Sequence, residues 1–337
     1  MTLNSIGDQA RAYALQVASN RIKTTLSTLT QEVASGQVAD IGQRVGGNTR
    51  ALNEIESRIQ IAGQLRENGK DAGVRLQAVQ DMFGAIRLST TDLGLALATD
   101  SFYSQAMKDA RSTEIGNAFE SVIQQLNGTN SNRFLMSGEA SDVVPLSDAA
   151  TILDSLQAIV APMTTAADIA QAISDWFDSP VGGGGFLDTA YHGTLGQPQR
   201  ITVGEGVAVE MQTTGASGPV RDLLKGLATA AILNRGVLAG DADETKALLV
   251  TAGTLMMAGD SAVLGEMGRV GLAQQTVERA QVTGTTTLNT LERARTDIRS
   301  ADPFETAAAL TEVQSQLESL YAVQARLANL KLVDFLR

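Results

Sequence analysis

The sequence predicts a mainly α protein, with long terminal coiled-coil helices and a helical-rod domain, and a small α+β outer domain inserted mid-chain. Three observations carry that prediction. Apolar residues recur in steps of three and four, or every seven, over long stretches at both ends of the chain. The composition leaves few helix breakers and few bulky core anchors, with 6 prolines and 4% aromatic residues in 337. In the middle the texture changes to β-branched residues alternating between glycines.

Taken in order, the first helix carries Leu15, Ile22 and Leu29 at one heptad position. Ser19, Leu26 and Val33 fill the complementary position, so Ser19 is the one polar slot of a coiled-coil seam. After the loop "ASGQVADIGQRVGGN" the helical period resumes at Leu52, Ile55, Ile59 and Ala62, and continues at Leu76, Val79, Phe83 and Ile86. Gly69 and Gly73 interrupt it, marking either close helix approach or a pliable stretch, because each costs roughly 1 kcal/mol against Ala. A third helix covers Gln105 to Leu126 and stops at the turn signal "NGTN".

From about Arg133 to Gly218 short apolar runs give way to two modest helices, "DAATILDSLQAIV" and "AADIAQAISDWF", and the tetraglycine Gly182 to Gly185 reads as a flexible link or loop tip. Alternation at Ile201 and Val203, and again at Val207 and Val209, predicts short antiparallel strands. Helix returns at "VRDLLKGLATAAIL", from Asp243 to Ala258, and from Val263 to Ile298 as a separate, longer helix. The last helix starts at Asp302 as N-cap, Pro303 at the first helical position and Glu305 at capping-box spacing. Leu310, Val313, Leu317, Leu320, Leu327 and Leu330 then form its seam, broken once at Gln324. About thirty residues at 1.5 Å each make a rod of about 45 Å, which needs a partner along its length. The N-terminal seam is the intramolecular candidate.

Three domains are therefore expected: 1–45 with 301–337 as the terminal coiled coil, 46–138 with 219–300 as the helical rod, and 139–218 as the outer α+β domain. A net charge of −11 speaks against a nucleic-acid partner, and no basic stripe offsets it. The absence of cysteine removes disulfides, thiolate metal sites and cysteine nucleophiles. No basic n-region followed by an apolar stretch marks the N-terminus, so no cleavable signal peptide is expected. The longest apolar run, from Ala247 to Ala258, ends at Gly259 and Asp260, short of the ~20 residues of a membrane span, and reads as a buried helix.

Chemistry has little to work with. The single histidine, His192, lies in a glycine-flanked turn and reads as a surface residue rather than a general base. The runs "GGGG" and "VGEGV" lack the spacing of a phosphate cradle. Asp241, Asp243 and Glu244 read as a helix N-terminal cluster rather than an acid/base pair. No enzyme, cofactor or metal site is expected. What remains is interaction through seams that neighbouring copies would complete.

Four stretches together resemble the flagellin superfamily: the N-terminal heptad helix closing on "ASG", the segment "NSNRFLMSGEASDVVPL", the segment "YHGTLGQPQRITVGEGVAVEM", and the ending from Ala301 to Arg337. Within it they look most like the hook-filament junction proteins, the hook-associated protein 3 family, and "RFLMSG" at Arg133 to Gly138 is the most discriminating piece. The loop after Gly36, "QVADIGQRVGGN", departs from the pattern, which commonly has a basic residue and then an Asp-rich segment.

That resemblance implies a structural adaptor between hook and flagellin filament. It would be exported through the flagellar type III apparatus without cleavage and be extracellular, at the distal end of the hook. Implied partners are copies of itself, neighbouring hook-associated protein and flagellin subunits, and an export chaperone on the C-terminal helix. Neither nucleic acid nor membrane insertion is implied. The assembly seam would be Leu15, Ile22, Leu26, Leu29, Val33, Leu310, Val313, Leu317, Leu320, Leu327 and Leu330. A filament flagellin and a cytosolic coiled-coil scaffold are the alternative readings.

Overall fold

Apolar stripes of period 3.6 bury themselves only by pairing with other stripes, and the fold is built from such pairings. A computed structural model describes the backbone of residues 6–44, 46–99 and 105–335. The chain divides into two units, Ala62–Thr285 and Met1–Ile61 with Thr286–Arg337. The protein is mainly α, with long helices and a small α+β portion mid-chain.

Within Ala62–Thr285, two long helices run antiparallel, α3 (Arg50–Thr99) and α9 (Ala242–Arg299), of which this unit holds the parts between residues 62 and 285. Arg87 binds Asp260, and the Gln80 amide donates to the Met267 carbonyl. Gly69 and Gly73 lie inside α3, which is continuous, and of the two readings of these glycines Gly69 takes the first. A Cβ at Gly69 would stand 3.3 Å from Gln281 Cγ, so the glycine serves close helix approach. The expected break between Ala258 and Val263 is absent: α9 is one helix of 58 residues. Gly259 continues it because its missing side chain admits the Leu223 backbone, and Asp260 does so because Arg87 neutralises it. Continuity makes part of α9 long and apolar enough to cross a membrane by length and composition, which the sequence-based reading did not anticipate. Leu248, Leu249, Ala252, Met256 and Val263 of this helix are nevertheless buried inside the protein.

α4 (Gln105–Leu126) ends at the predicted turn and leads into a small hairpin, β1 (Thr129–Asn130) with β2 (Arg133–Phe134). Ser131 and Asn132 take positive φ between them, the pattern of a two-residue hairpin turn. α5 (Ala149–Val160) starts at Asp148, whose carboxylate accepts the Thr151 amide, and α6 (Ala166–Asp178) starts at Thr165, capped likewise through Asp168 N. Ile169, Ile173, Trp176 and Phe177 of α6 bury one face, with Trp176 edge-on to Phe177 and Phe186. The tetraglycine is not a flexible link. Gly182 and Gly184 donate their amides to Asp188 on the single-turn α7 (Phe186–Thr189), so the loop folds around that carboxylate.

β3 (Gln199–Gly204) and β4 (Val207–Met211) form an antiparallel pair, Ile201 opposite Val209, with a register shift near Gly204. Val203 and Val209 are buried, as alternation requires. α8 (Gly218–Ala231) runs on into a 3-10 turn, Ile232–Arg235, and is buried almost throughout. It packs on α4 and α6. Buried Lys225 on α8 is held by Asp178 at 2.6 Å and Asp222 at 3.0 Å, which offsets the loss of its hydration. Among the described residues, the main core cluster runs from Ala72 to Ala280 and so lies wholly within this unit.

Met1–Ile61 with Thr286–Arg337 holds α1 (Ile6–Ser35), the one-turn α2 (Ile41–Arg44), the start of α3, the end of α9 and α10 (Pro303–Phe335). α1 packs on α10. The end of α1 and the start of α10 are tied through the main chain: Ala301 N donates to Gly36 O and Val38 N to Arg299 O. Leu52, Leu288 and Leu291 are the buried apolar residues described in this unit.

Candidate assembly surface

The surface is built on the α1–α10 pair. Since α1 ends where α10 begins, the two helices run antiparallel. Lys23 Nζ stands 5.9 Å from the centre of the Tyr321 ring, a cation–π contact midway along the pair.

The start of α10 is fixed by Asp302. Its Oδ1 accepts the Phe304 amide at 2.8 Å and the Glu305 amide at 3.1 Å, and Pro303 is the first helical residue. Glu305 contributes its main-chain amide to this cap. Thr306 adds a side-chain bond to the Asp302 carbonyl at 2.7 Å. These bonds satisfy donors that a helix start otherwise leaves to water.

Eight of the predicted seam residues sit at intermediate exposure. Leu15, Ile22, Leu26 and Leu29 of α1, and Leu310, Val313, Leu317 and Leu320 of α10, are half-buried. Val33 is 47% exposed and Leu327 is 38% exposed. Leu330 lies within α10, but its side chain falls outside the described residues. Among the described side chains of α1 and α10, the buried ones are Ser19 and Thr306, both polar. The polar slot is therefore the best-covered part of α1, and the apolar positions are covered by halves.

The sequence reading missed further apolar side chains on this pair. Tyr13, Val17, Tyr321 and Val323 are exposed, and Phe304, beside the cap, is 89% exposed. They fall off the heptad positions, so periodicity alone could not find them. Their signal is the presence of large apolar residues at positions a solvated helix face fills with charge.

Elsewhere the candidate chemistry resolves into local structure. His192 Nε2 lies 2.8 Å from Ser147 Oγ on an exposed turn. Asp241 caps α9 by accepting the amides of Asp243 and Glu244, and Glu244 reaches across to the Ala166 amide at the start of α6. Among the described residues no group of three or more His, Asp or Glu stands close enough to hold a metal ion.

No protein-family model matches the chain, and no curated relative matches it. Among solved structures it is similar to a provisionally assigned flagellar hook-associated protein from Vibrio parahaemolyticus, at 14% identity and a TM-score of 0.41, over 87% of this chain and 100% of that one.

Proposed function

We propose that the chain is a non-enzymatic structural component of the bacterial flagellum, an adaptor that joins the hook to the flagellin filament by packing of its terminal helices against neighbouring subunits. One observation supports it above the others. Among the described residues, the main core cluster lies wholly in Ala62–Thr285, while the terminal helix pair leaves its apolar seam half-covered and its buried positions polar. Helices that do not enclose their own apolar surface gain by packing against further copies, which offsets the entropy of ordering them. The residue resemblance in "RFLMSG" and in the Ala301–Arg337 ending supplies the flagellar context.

In this reading residues 1–45 with 301–337 form the inner axial layer, 46–138 with 219–300 the rod and 139–218 the outer part. The partners are copies of this chain, a neighbouring hook-associated protein and flagellin, with an export chaperone on α10 before assembly. In this reading the protein stands at the distal end of the hook, outside the cell.

The test replaces Leu320 and Leu327 with Asp in the source organism. Export should persist while incorporation is lost; normal filaments from such cells would sink the assembly role. Immunogold labelling of intact flagella should show a band at the end of the hook. Staining along the whole filament would favour a filament flagellin, and retention in the cell pellet would favour a cytosolic scaffold.

A further inference from the structure

Ala62–Thr285 contains a cleft of about 170 Å³ between α3, α9 and the β3–β4 hairpin. Its apolar wall includes Leu76, Val79, Leu135, Val270 and Ala273, and its polar residues are Arg75, Glu210, Gln212, Thr213, Glu266 and Arg269. Two of the four charged groups, Glu266 and Arg269, form an ion pair. Glu266 is buried and takes hydrogen bonds from Thr213 Oγ1 and Arg269 Nη2, so it and Arg269 neutralise each other. Glu210 accepts the Gln212 side-chain amide at 3.1 Å and is exposed.

Arg75, like Glu210, has a neutral amide as partner, but unlike Glu210 it is half-buried. Its Nη1 donates to Gln199 Oε1 at 2.5 Å, a neutral partner, and among the described residues no carboxylate forms an ion pair with it. Burial holds its pKa below the ordinary arginine value, and the like charge of Arg133 on β2 lowers it further. A half-buried guanidinium with one of its five N–H donors bonded to a neutral amide is a recognition group lacking its anion.

We infer that this cleft is a binding site for small carboxylates bearing a short apolar tail, with Arg75 holding the head and the Leu76–Val270 wall holding the tail. The head would complete the charge that Arg75 lacks, and bidentate geometry suits guanidinium to carboxylate better than to any neutral group. The tail would cover apolar surface now facing the cleft. This site is independent of the assembly role and lies wholly within one unit.

The probe is hexanoate, titrated into the full chain with isotope-labelled methyl groups and arginine side chains observed by NMR. Hexan-1-ol serves as the tail without charge and inorganic phosphate as charge without tail. Hexanoate should shift the Arg75 side chain and the Leu76, Leu135 and Val270 methyls together, saturating in the roughly millimolar range expected of so small a ligand. Arg75→Gln should weaken hexanoate at least tenfold, whereas Arg75→Lys should retain part of the affinity. Absence of saturation, undiminished binding by Arg75→Gln, or equal binding of hexan-1-ol would overturn the site. Phosphate binding as tightly as hexanoate would overturn the apolar half of it. Should Arg75→Gln fail to fold, Ala273→Leu, which fills the cleft and leaves Arg75 intact, decides: hexanoate binding should be lost, and its persistence would overturn the inference.

Discussion

Arg87 and Asp260 meet head-on between α3 and α9: Nε lies 2.7 Å from Oδ1 and Nη2 3.0 Å from Oδ2, with Thr91 Oγ1 on the same carboxylate at 3.1 Å. This bidentate pair, 28% and 17% exposed at its side chains, fastens two long helices at one level. Removing its acid should leave the guanidinium without a partner, so Asp260→Ala should lower unfolding stability by about 2 kcal/mol. Urea denaturation at neutral pH, followed by circular dichroism, measures it.

The same pair predicts an acid limb. The Arg87 hydrogen bond, ahead of the Thr91 bond and the Arg87 charge, holds the Asp260 carboxyl below its ordinary value of 3.8 against the opposing effect of burial. A depressed folded-state pKa gives stability that is fully present above the unfolded value and is lost as pH falls through the folded one. Wild-type protein should therefore lose more stability than Asp260→Asn between pH 5 and pH 2, and parallel curves for the two would refute the linkage.

Two glycines of α9 should respond to alanine with opposite signs. A Cβ at Gly259 would stand 2.6 Å from Leu223 Cα and 2.7 Å from Leu223 N, so Gly259→Ala must push α8 away and should destabilise by more than about 2 kcal/mol. Nothing lies within 4 Å of a Cβ at Gly265, so Gly265→Ala should stabilise by roughly 0.5–1 kcal/mol through helix propensity and unfolded-state entropy. Melting curves of the two variants, taken side by side, check the contrast.

Asp302→Ala removes the acceptor for two amides at the start of α10 and should cost about 1 kcal/mol locally. The effect should show as faster hydrogen exchange at Phe304 and Glu305, with exchange in α8 unchanged.

Hydrogen exchange on the isolated chain also tests the uneven distribution of the core. Amides around Phe83, Phe119 and Leu224, which are fully buried, should exchange only by global opening. Those of α1 and α10 in the isolated chain should open at a cost of no more than ~2 kcal/mol. Equal protection in both sets would show that the terminal pair is self-sufficient.

Local signals found most of the fold because they are carried by neighbouring residues. The end of α4 is marked by the Asn127–Gly128 turn, the β3–β4 pair by alternation at Ile201, Val203, Val207 and Val209, and the start of α10 by Asp302 and Pro303. What stayed hidden depends on partners far along the chain. Gly259 and Asp260 read as a helix break because nothing nearby excuses them; Leu223 and Arg87 do so from a distance. The tetraglycine reads as slack because its organiser, the Asp188 carboxylate, is an unremarkable charge in sequence. For the candidate surface, periodicity marked the positions but not their coverage. The burial of Ser19 beside half-covered leucines follows from which face of α1 meets α10, and a heptad pattern does not rank its own positions. Arg75 carries no sequence signal, since its lack of a carboxylate is a fact of packing.

The tie between the end of α1 and the start of α10 is made by main-chain groups, with Gln37 and Ser300 as directly opposed antiparallel partners. Such pairs hold their Cα atoms about 4.5–5.5 Å apart, inside the span a disulfide bridges. The chain has no cysteine of its own, so Gln37→Cys with Ser300→Cys would give it a single reducible latch. Closed, the latch would hold the two helices at their shared end; opened with dithiothreitol, it would release them. If the proposed assembly role holds, subunit addition timed in both states would then reveal whether joining a growing polymer requires this corner of the molecule to come apart.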